Sequence, residues 1–503
     1  MKYWKKLLSF ILIIILSSLI FSSAFAFSFY KFEGKEFSDK YFYATVKEVI
    51  SSSKKGWAVI VVLKDEERSQ KIKEYLGKKG TNISNLSQMK KKKEGLFFLY
   101  SGDGRLIFVF NNFSDEGFFT FESVHTKRAG LVLDSEFMDI LEGRFNEDTK
   151  ILVTNNFLQH LWKFFWILNY QLMYLNRYLI VLFAVIIIFS ILEAIVYFGN
   201  IKINLSNAAI HIYILKLLPT TVLLSYLFII YSPIIVQYIN HVFVFLLLFF
   251  ATSLILSYFS LEKTQAGLAL AGILSILIQA IFYDNYLELI STAGYHPSFA
   301  NRFYGIGNEF FAYLLGFAFV FSVATKIPLK NVYIILGALA IFLAIPYYGI
   351  NFGGLVSILL GFTLFSIIKS ENKKKMIFLL LPVAILIVFA IFKNSYLFNV
   401  FSNTEVLLDT IKRKMLMNLS YFVSYPLTIL LVSCFVILSI LALTKNKILV
   451  LSSLEREKIK LFIIITMFAW LLNDSGTIIA GLLLGFLNLS IYLTKLVKDY
   501  AVH

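Results

Sequence analysis

Apolar segments long enough, or nearly long enough, to cross a lipid bilayer recur along most of this 503-residue chain and constrain its fold more than any other feature. Short polar connections, many of them containing lysine, separate these segments. The pattern predicts an all-α polytopic membrane protein of about twelve transmembrane helices. After a first apolar run at 7–21, the predicted spans are 178–198, 210–231, 241–259, 266–283, 308–325, 331–349, 353–368, 376–392, 426–443, 460–473 and 475–494.

The composition agrees with a membrane protein. Hydrophobic residues make up 58% of the chain and charged residues 16%, whereas soluble domains carry about 25% charged residues. The formal charge of +16 comes from lysines in short runs between apolar segments, which is typical of cytoplasmic loops and predicts no nucleic-acid partner. Cys434 is the only cysteine, which excludes an intramolecular disulfide and a cysteine metal cluster. We expect no metal and no cofactor.

Residues 1–26 are typical of a membrane-targeting segment. A cationic start precedes the apolar run 7–21, and small residues at 22–26 offer a cleavage site. The segment is therefore either a cleaved signal peptide or a retained first helix. Both alternatives keep the start of the chain in the cytoplasm and send the following residues outside.

Residues 27–156 differ from the rest, because charged residues occur throughout them. Residues 65–76 are typical of a helix that Gly77 would end, and strand-like runs occur at 43–46, 57–63, 95–100 and 106–110. We predict a small N-terminal extracytoplasmic α+β domain without a phosphate-binding loop or a nucleophile elbow. Its expected role is recognition or packing outside the membrane, including contact with a protein partner.

Residues 157–503 form the predicted helical transmembrane domain. Threading the spans alternately through a bilayer places nearly every lysine-bearing short connection on one side, which the positive-inside rule assigns to the cytoplasm. The C-terminus then lies in the cytoplasm, and the expected location is the cytoplasmic membrane. The unusual polar motifs all fall on outer connections, at 284–308, 346–353, 393–425 and 473–475.

The densest polar motif lies where one outer connection enters a span. Arg302 offers a planar fork of donors, and Asn301 and Asn308 add neutral donors, so these residues are candidate ligands of a phosphate or pyrophosphate. The alternative is that Arg302 anchors a helix end at the membrane interface. Glu309 is a candidate general base or the counter-ion of Arg302. His296 is a candidate catalytic residue or an idle loop histidine.

Two shorter outer connections add further candidates. Glycines at the start of the span 353–368 either leave helix N–H groups facing an anion or allow close helix packing. Asp474 lies between the last two spans, where a carboxylate is costly unless it is paired, hydrated or functional; helix capping is the structural alternative. Asp474 is a candidate catalytic residue, and the candidate ligand-binding residues here are Asn351, Gly353, Gly354, Asn473 and Ser475.

The longest connection among the spans contains a predicted amphipathic helix at 404–418. It carries Lys412, Arg413 and Lys414, and three consecutive cations on the outer side oppose the positive-inside bias. They favour an anionic ligand or a lipid headgroup as their neighbour. The alternative is a solvated charged face of the helix.

Four motifs together resemble a group of multi-pass bacterial membrane proteins: RFYGIGNE at 302–309, FGG at 352–354, RKMLMN at 413–418 and NDSG at 473–476. That resemblance implies no activity. The chain is also similar, at 302–312 and 353–362, to helix starts of the O-antigen ligase and polymerase superfamily. It departs from that family at Gly307, which replaces a proline, at Asn351 and Phe352, which replace a Ser-Arg pair, and in a long outer loop without histidine.

The second resemblance implies an outer-face, transferase-like enzyme of envelope polysaccharide assembly whose donor is a polyprenyl-pyrophosphate-linked glycan. Glu309 or Asp474 would activate an acceptor hydroxyl, and charge stabilisation of the leaving pyrophosphate would supply most of the rate. The residues expected to hold the pyrophosphate are Arg302, Lys412, Arg413 and Lys414. A membrane transporter or flippase is one alternative, and a non-catalytic receptor or scaffold is another. Membrane lipid is an expected partner.

Overall fold

The structure is a computed structural model, and it describes a small sheet with two helices and a larger helical bundle. The predicted segments 7–21, 43–46, 178–198, 376–392 and 426–443 lie outside the described residues. The described residues are 56–79, 81–82, 96–100, 106–111, 118–123, 131–141, 149–153, 165, 208–238, 242–282, 288–289, 291, 305–345, 348–349, 351–369, 402–424 and 452–501.

The sheet confirms the predicted strands at 57–63, 95–100 and 106–110. Its elements are β1 (Gly56–Val62), α1 (Glu66–Lys79), β2 (Thr81–Asn82), β3 (Leu96–Tyr100), β4 (Leu106–Asn111), β5 (Phe118–Ser123), β6 (Leu131–Leu133), α2 (Asp134–Leu141) and β7 (Thr149–Val153). The strand order is β2-β3-β4-β1-β5-β7, and β6 pairs in parallel with the second half of β1. Strand β1 is antiparallel to β4, with Val59 opposite Val109.

Both faces of the sheet are buried. Val59 and Val61 of β1 belong to the apolar core that α1 and α2 complete on one face. Ile60 and Val62 point to the other face and belong to the same buried cluster as the helical bundle. Phe165 packs on that face too. The consecutive apolar residues of β1 are therefore those of a strand covered on two sides.

Helix α1 continues beyond the predicted stop at Gly77 and ends at Lys79. The prediction was wrong because a glycine weakens a helix by about 1 kcal/mol but blocks none of its hydrogen bonds. Gly77 is exposed, with open space around it. Ile72 and Leu76 anchor this part of the helix in the core of the sheet, and Lys78 follows in the last turn, where the helix dipole favours a cation.

The described part of the chain after the sheet is helical. Each predicted span that falls in the described ranges corresponds to one of these helices, and the predicted amphipathic helix corresponds to α9. The helices are α3 (Ala208–Tyr238), α4 (Val242–Tyr258), α5 (Leu261–Phe282), α6 (Asn308–Ala324), α7 (Leu329–Ala344), α8 (Phe352–Lys369), α9 (Thr404–Ser424), α10 (Ser453–Leu472) and α11 (Gly476–Ala501).

Helix α6 lies at the centre of the bundle, and nearly all of its side chains are buried. Helix α11 runs parallel to it, since Asn308 contacts Ser475 where the two helices begin. Helix α10 runs in the opposite direction, and Phe319 of α6 stacks on Phe462 of α10 with ring centroids 4.0 Å apart. The start of α6, the start of α11 and the end of α10 therefore lie together.

The bundle has two chemically different ends. We call the first the motif end; it contains the starts of α6, α8 and α11 and the end of α10, and Gly353 lies there against the side chain of Asn473. We call the opposite end the lysine end. There Lys326 pairs with Glu262 at 2.7 Å, and Lys458 is buried between helices. The predicted outer motifs are thus separated from the predicted cytoplasmic lysines.

Glycines and aromatic rings bring the central helices close together. Phe486 of α11 stacks on Tyr226 of α3 with centroids 4.2 Å apart, and it meets Phe317 of α6 edge-on at 5.2 Å. Gly316 faces the same ring, and a Cβ at that position would overlap it. Small residues at such positions allow neighbouring helices to approach closely.

Two of the described helices, α5 and α8, are long and apolar enough to cross a membrane by length and composition. Other apolar helices, such as Asn308–Ala324 and Leu329–Ala344, are shorter. The described protein is therefore mostly helical with a small sheet. The arrangement of about twelve spans stays a prediction from the sequence.

Candidate functional site

Three helices begin close to one another at the motif end. Helix α6 begins at Asn308, α8 at Phe352 and α11 at Gly476. Backbone N–H groups and the helix dipole make each such start a favourable place for negative charge. The side chains that join the three starts come from outer connections predicted to share one side of the membrane.

Asn351 caps α8 and ties it to the start of α6. Its Oδ1 accepts a hydrogen bond from the N–H of Gly354 at 2.7 Å, which is the contact an N-cap residue makes with the third helical position. Its Nδ2 donates to the carbonyl of Ile306 at 2.9 Å and to Oδ1 of Asn308 at 3.4 Å. Asn351 is buried, and both ends of its amide contact the protein.

Asn308 extends this contact to α11. Its Nδ2 donates to Oγ of Ser475 at 3.0 Å, across a sequence separation of 167 residues. The carbonyl of Ser475 accepts the N–H of Ile479 and so begins the hydrogen bonding of α11. Asn351, Asn308 and Ser475 form a continuous polar chain over three helix starts, and we refer to them as the polar chain.

A carboxylate that the sequence analysis missed lies at the start of α6. Glu288 is buried, and its Oε1 accepts a hydrogen bond from the N–H of Gly307, the residue before the helix. Gly305 has a φ of 75°, in the left-handed region that glycine adopts readily. This bend lets the N–H of Ile306 donate to the carbonyl of Gly349 at 2.6 Å. Glu288 belongs to a predicted outer connection. An acidic residue beside apolar residues in that connection is the sequence signal that could have identified it.

Helix α9 covers the break between α10 and α11. Asn418 donates through Nδ2 to the carbonyl of Asn473 at 3.1 Å, and its Oδ1 accepts the N–H of Thr477 at 2.8 Å. Lys414, one turn earlier, donates to the carbonyl of Leu472 at 2.6 Å. One face of α9 therefore satisfies carbonyls at the end of α10 and an N–H at the start of α11, groups that a helix cannot pair internally.

Asp474 lies between two cations of α9. Its Oδ2 is 3.6 Å from Nη2 of Arg413, and its Oδ1 is 3.5 Å from Nζ of Lys414. These separations are longer than good charge-assisted hydrogen bonds, and all three side chains are partly exposed. Partly exposed pairs of this kind contribute about 0–1 kcal/mol each. The two ion pairs therefore hold Asp474 weakly.

Gly353 and Gly354 pack closely, which is the structural alternative that the sequence left open. A Cβ on Gly353 would overlap the side chain of Asn473, and a Cβ on Gly354 would lie 2.8 Å from the ring of Phe311. The N–H of Gly354 is also engaged by Asn351. The anion-facing role predicted for these glycines stays a prediction.

The motif end brings together most of the predicted site residues that the structure describes. Glu309 is half-buried in the first turn of α6, and Lys412 is exposed on α9. His296, Asn301 and Arg302 lie outside the described residues. The predicted residues that converge are Asn308, Asn351, Gly353, Gly354, Arg413, Lys414, Asn473, Asp474 and Ser475.

The fold and the motif end define a helical bundle with a polar cluster over converging helix starts. Among the described residues, no group of three or more His, Cys, Asp and Glu side chains could hold a metal ion. No protein-family model matches the chain, and no curated protein or solved structure is significantly similar to it. The function is therefore inferred from the chemistry of this cluster.

Proposed function

We propose that this chain is a multi-pass protein of the cytoplasmic membrane, with about twelve spans, that transfers a polyprenyl-pyrophosphate-linked glycan to an acceptor at its motif end. The observation that carries the proposal is the convergence of three helix starts beside Arg413 and Lys414. Each helix start favours an anion by about 0.3–1 kcal/mol, and a guanidinium fork matches phosphate oxygens. A pyrophosphate presents such oxygens.

Exposed apolar side chains support a lipid environment around the bundle. Ile255 of α4, Ile334 of α7 and Ile368 of α8 are all largely exposed on the outer surface of the bundle. A soluble protein rarely exposes so many large apolar side chains, whereas a lipid-facing surface is made of them. The orientation with the motif end outside follows from the lysines at the opposite end.

Asp474 is the proposed base of the transfer. A pyrophosphate that binds Arg413 and Lys414 displaces the carboxylate of Asp474 from the two cations. The acceptor hydroxyl gives its proton to Asp474 while its oxygen forms a bond to the anomeric carbon of the glycan. The bond from that carbon to the pyrophosphate oxygen breaks, and the departing charge stays with the cations and helix starts.

Arg302 and Glu309 complete the proposed site. The planar fork of Arg302 adds a second guanidinium for the pyrophosphate, as the motif that contains it predicts. Glu309 follows in the first turn of α6, beside the polar chain, and is the alternative base.

A transporter is the second candidate, and buried polar groups on α3, α4 and α5 favour it. Gln265 of α5 donates to Oγ1 of Thr220 on α3 at 3.1 Å, and Thr221 and Ser253 are also buried. Polar groups between membrane helices often mark a substrate pathway. A transporter would move the lipid-linked glycan between leaflets without consuming it.

The two candidates differ in where the donor accumulates when the protein is deleted. Loss of a transferase leaves the polyprenyl-pyrophosphate-linked glycan in the outer leaflet, whereas loss of a transporter leaves it in the inner leaflet. Labelling of spheroplasts with a membrane-impermeant lectin, before and after permeabilisation, distinguishes the two. We expect outer-leaflet accumulation that complementation reverses, and no accumulation in either leaflet would contradict both candidates.

A further inference from the structure

Helix α9 exposes an apolar stripe beside the face that contacts the bundle. Leu408, Ile411, Met415 and Leu419 follow one another at intervals of three and four residues, which places them along one side of a helix. Their exposed fractions lie between 46% and 69%. The contacts of Lys414 and Asn418 hold the adjacent face against the break between α10 and α11.

The stripe adjoins another exposed apolar surface. Met467 and Leu471 of α10 lie one turn apart, with exposed fractions of 48% and 64%. Leu471 immediately precedes Leu472, whose carbonyl accepts the hydrogen bond from Lys414. The apolar surface of the bundle thus reaches the point at which α9 is attached, and the stripe extends it along α9.

The charges on and beside α9 are of both signs. Lys412, Arg413 and Lys414 are offset by Glu405 and Asp409 on the same helix and by Asp474 beside it. Three cations and three carboxylates therefore lie on α9 or beside it, and the anionic ligand or lipid headgroup predicted next to the cations stays a prediction. The exposed apolar stripe supplies a driving force of its own, at about 0.8 kcal/mol for each buried methylene.

We infer that α9 lies flat in the lipid–water interface, with Leu408, Ile411, Met415 and Leu419 inserted among the acyl chains. The occupant of the stripe is the lipid bilayer itself, and the helix is an interfacial amphipathic helix held to the bundle by Lys414 and Asn418. The inference rests on the proposed membrane placement of the bundle. It sets Arg413 and Lys414 at headgroup depth, where a membrane-anchored pyrophosphate would present its charge.

Quenching by brominated lipid measures this depth directly. Single cysteines at Met415, Ser420 and Leu274 are introduced into a Cys434→Ser protein, labelled with bimane and reconstituted in phosphatidylcholine vesicles with bromine at acyl positions near the headgroup. Ser420 is the matched control, because it is exposed on α9 about 140° around the helix from Met415. Leu274 reports whether α5, a candidate span, lies in the bilayer.

We expect quenching at Met415 to exceed that at Ser420 by about twofold or more and to persist in 1 M salt, because apolar insertion is not screened. Quenching at Leu274 without quenching at Met415 would overturn the inference and leave the membrane placement intact. Quenching at neither position would overturn the placement itself. Loss of quenching at Met415 with thiol cross-linking between copies would assign the stripe to a second copy and also overturn the inference. If Met415→Cys does not fold, Leu419→Cys on the same stripe replaces it.

Discussion

Asn418 shows how a single side chain can join three helices. A neutral amide provides both a donor and an acceptor, so it can bind a carbonyl at the end of α10 and an N–H at the start of α11 together. An aspartate at this position would lack the donor, and a lysine would lack the acceptor. The amide is therefore suited to the break between two consecutive helices.

Replacing Asn418 with alanine should lower the stability of the bundle. The variant leaves the N–H of Thr477 without its partner and removes one of the two hydrogen bonds to the carbonyl of Asn473, at a cost of about 1–3 kcal/mol. Thermal unfolding of the detergent-solubilised protein measures the effect. Ser420→Ala is the matched control, because Ser420 is exposed on the same helix and bonds only its own turn. Equal unfolding midpoints for both variants would show that Asn418 does not hold the break.

The sequence identified where the polar motifs lie but not how they pair. Asn351, Asn308 and Ser475 stand out because polar residues are few in apolar surroundings, and they do meet in the fold. Asn418 and Thr477 are 59 residues apart and Glu288 and Gly307 are 19 apart, so no local pattern connects them. Pairings of this kind depend on how helices stack, which periodicity alone does not specify.

At the scale of elements, the contact between α6 and α11 depends on the absence of a side chain at Gly316. Phe486 fills the space there, and it is held by stacking on Tyr226 and by the edge of Phe317. The ring has little freedom to move away. Gly337 on α7, by contrast, has open space where its Cβ would lie.

Gly316→Ala and Gly337→Ala should therefore change stability in opposite directions. The first forces α6 away from Phe486 and should destabilise the bundle by about 1–3 kcal/mol. The second adds helix propensity without a clash and should stabilise α7 by about 0.5–1 kcal/mol. Thermal unfolding of the two variants in one detergent gives the comparison. A rise in the unfolding midpoint for Gly316→Ala would refute the close approach of the two helices.

The helices themselves were predictable because their apolar runs are long, and the error at Gly77 shows the limit of local rules. Local rules predict that a glycine ends the helix there, yet Leu76 at the preceding position anchors the last turns in the core. The apolar stripe of α9 was also visible in the sequence. Its separation from the bundle-facing Lys414 and Asn418 required the structure.

For the whole molecule, the predicted membrane topology rests on the difference between the two ends of the bundle. Polar motifs from separate connections meet at the motif end, and pairs such as Lys326 with Glu262 and Lys369 with Glu457 lie at the lysine end. The antiparallel helices thus separate the two groups of residues as alternating threading predicts. Which end of the bundle faces outside is predicted from the lysines, and this prediction needs measurement.

Cysteine labelling on intact cells should give that sidedness. In a Cys434→Ser protein, a membrane-impermeant maleimide should reach Ser298→Cys and Asn403→Cys from outside, because both positions belong to predicted outer connections. Asn372→Cys lies among lysines of a predicted inner connection and should react only after permeabilisation. The opposite labelling pattern would place the motif end in the cytoplasm and remove the basis of the proposed transfer.

The proposed site requires that a pyrophosphate compete with Asp474 for Arg413 and Lys414. Calorimetry measures the affinity of the purified protein for farnesyl pyrophosphate in the variants Asp474→Asn, Arg413→Ala and Glu405→Gln. Glu405→Gln is the control, because it changes the net charge equally but on an exposed residue of α9. We expect about threefold tighter binding for Asp474→Asn, weaker binding for Arg413→Ala and no change for Glu405→Gln. Equal shifts for the two carboxylate variants, or no binding by any protein, would contradict a pyrophosphate site at the motif end.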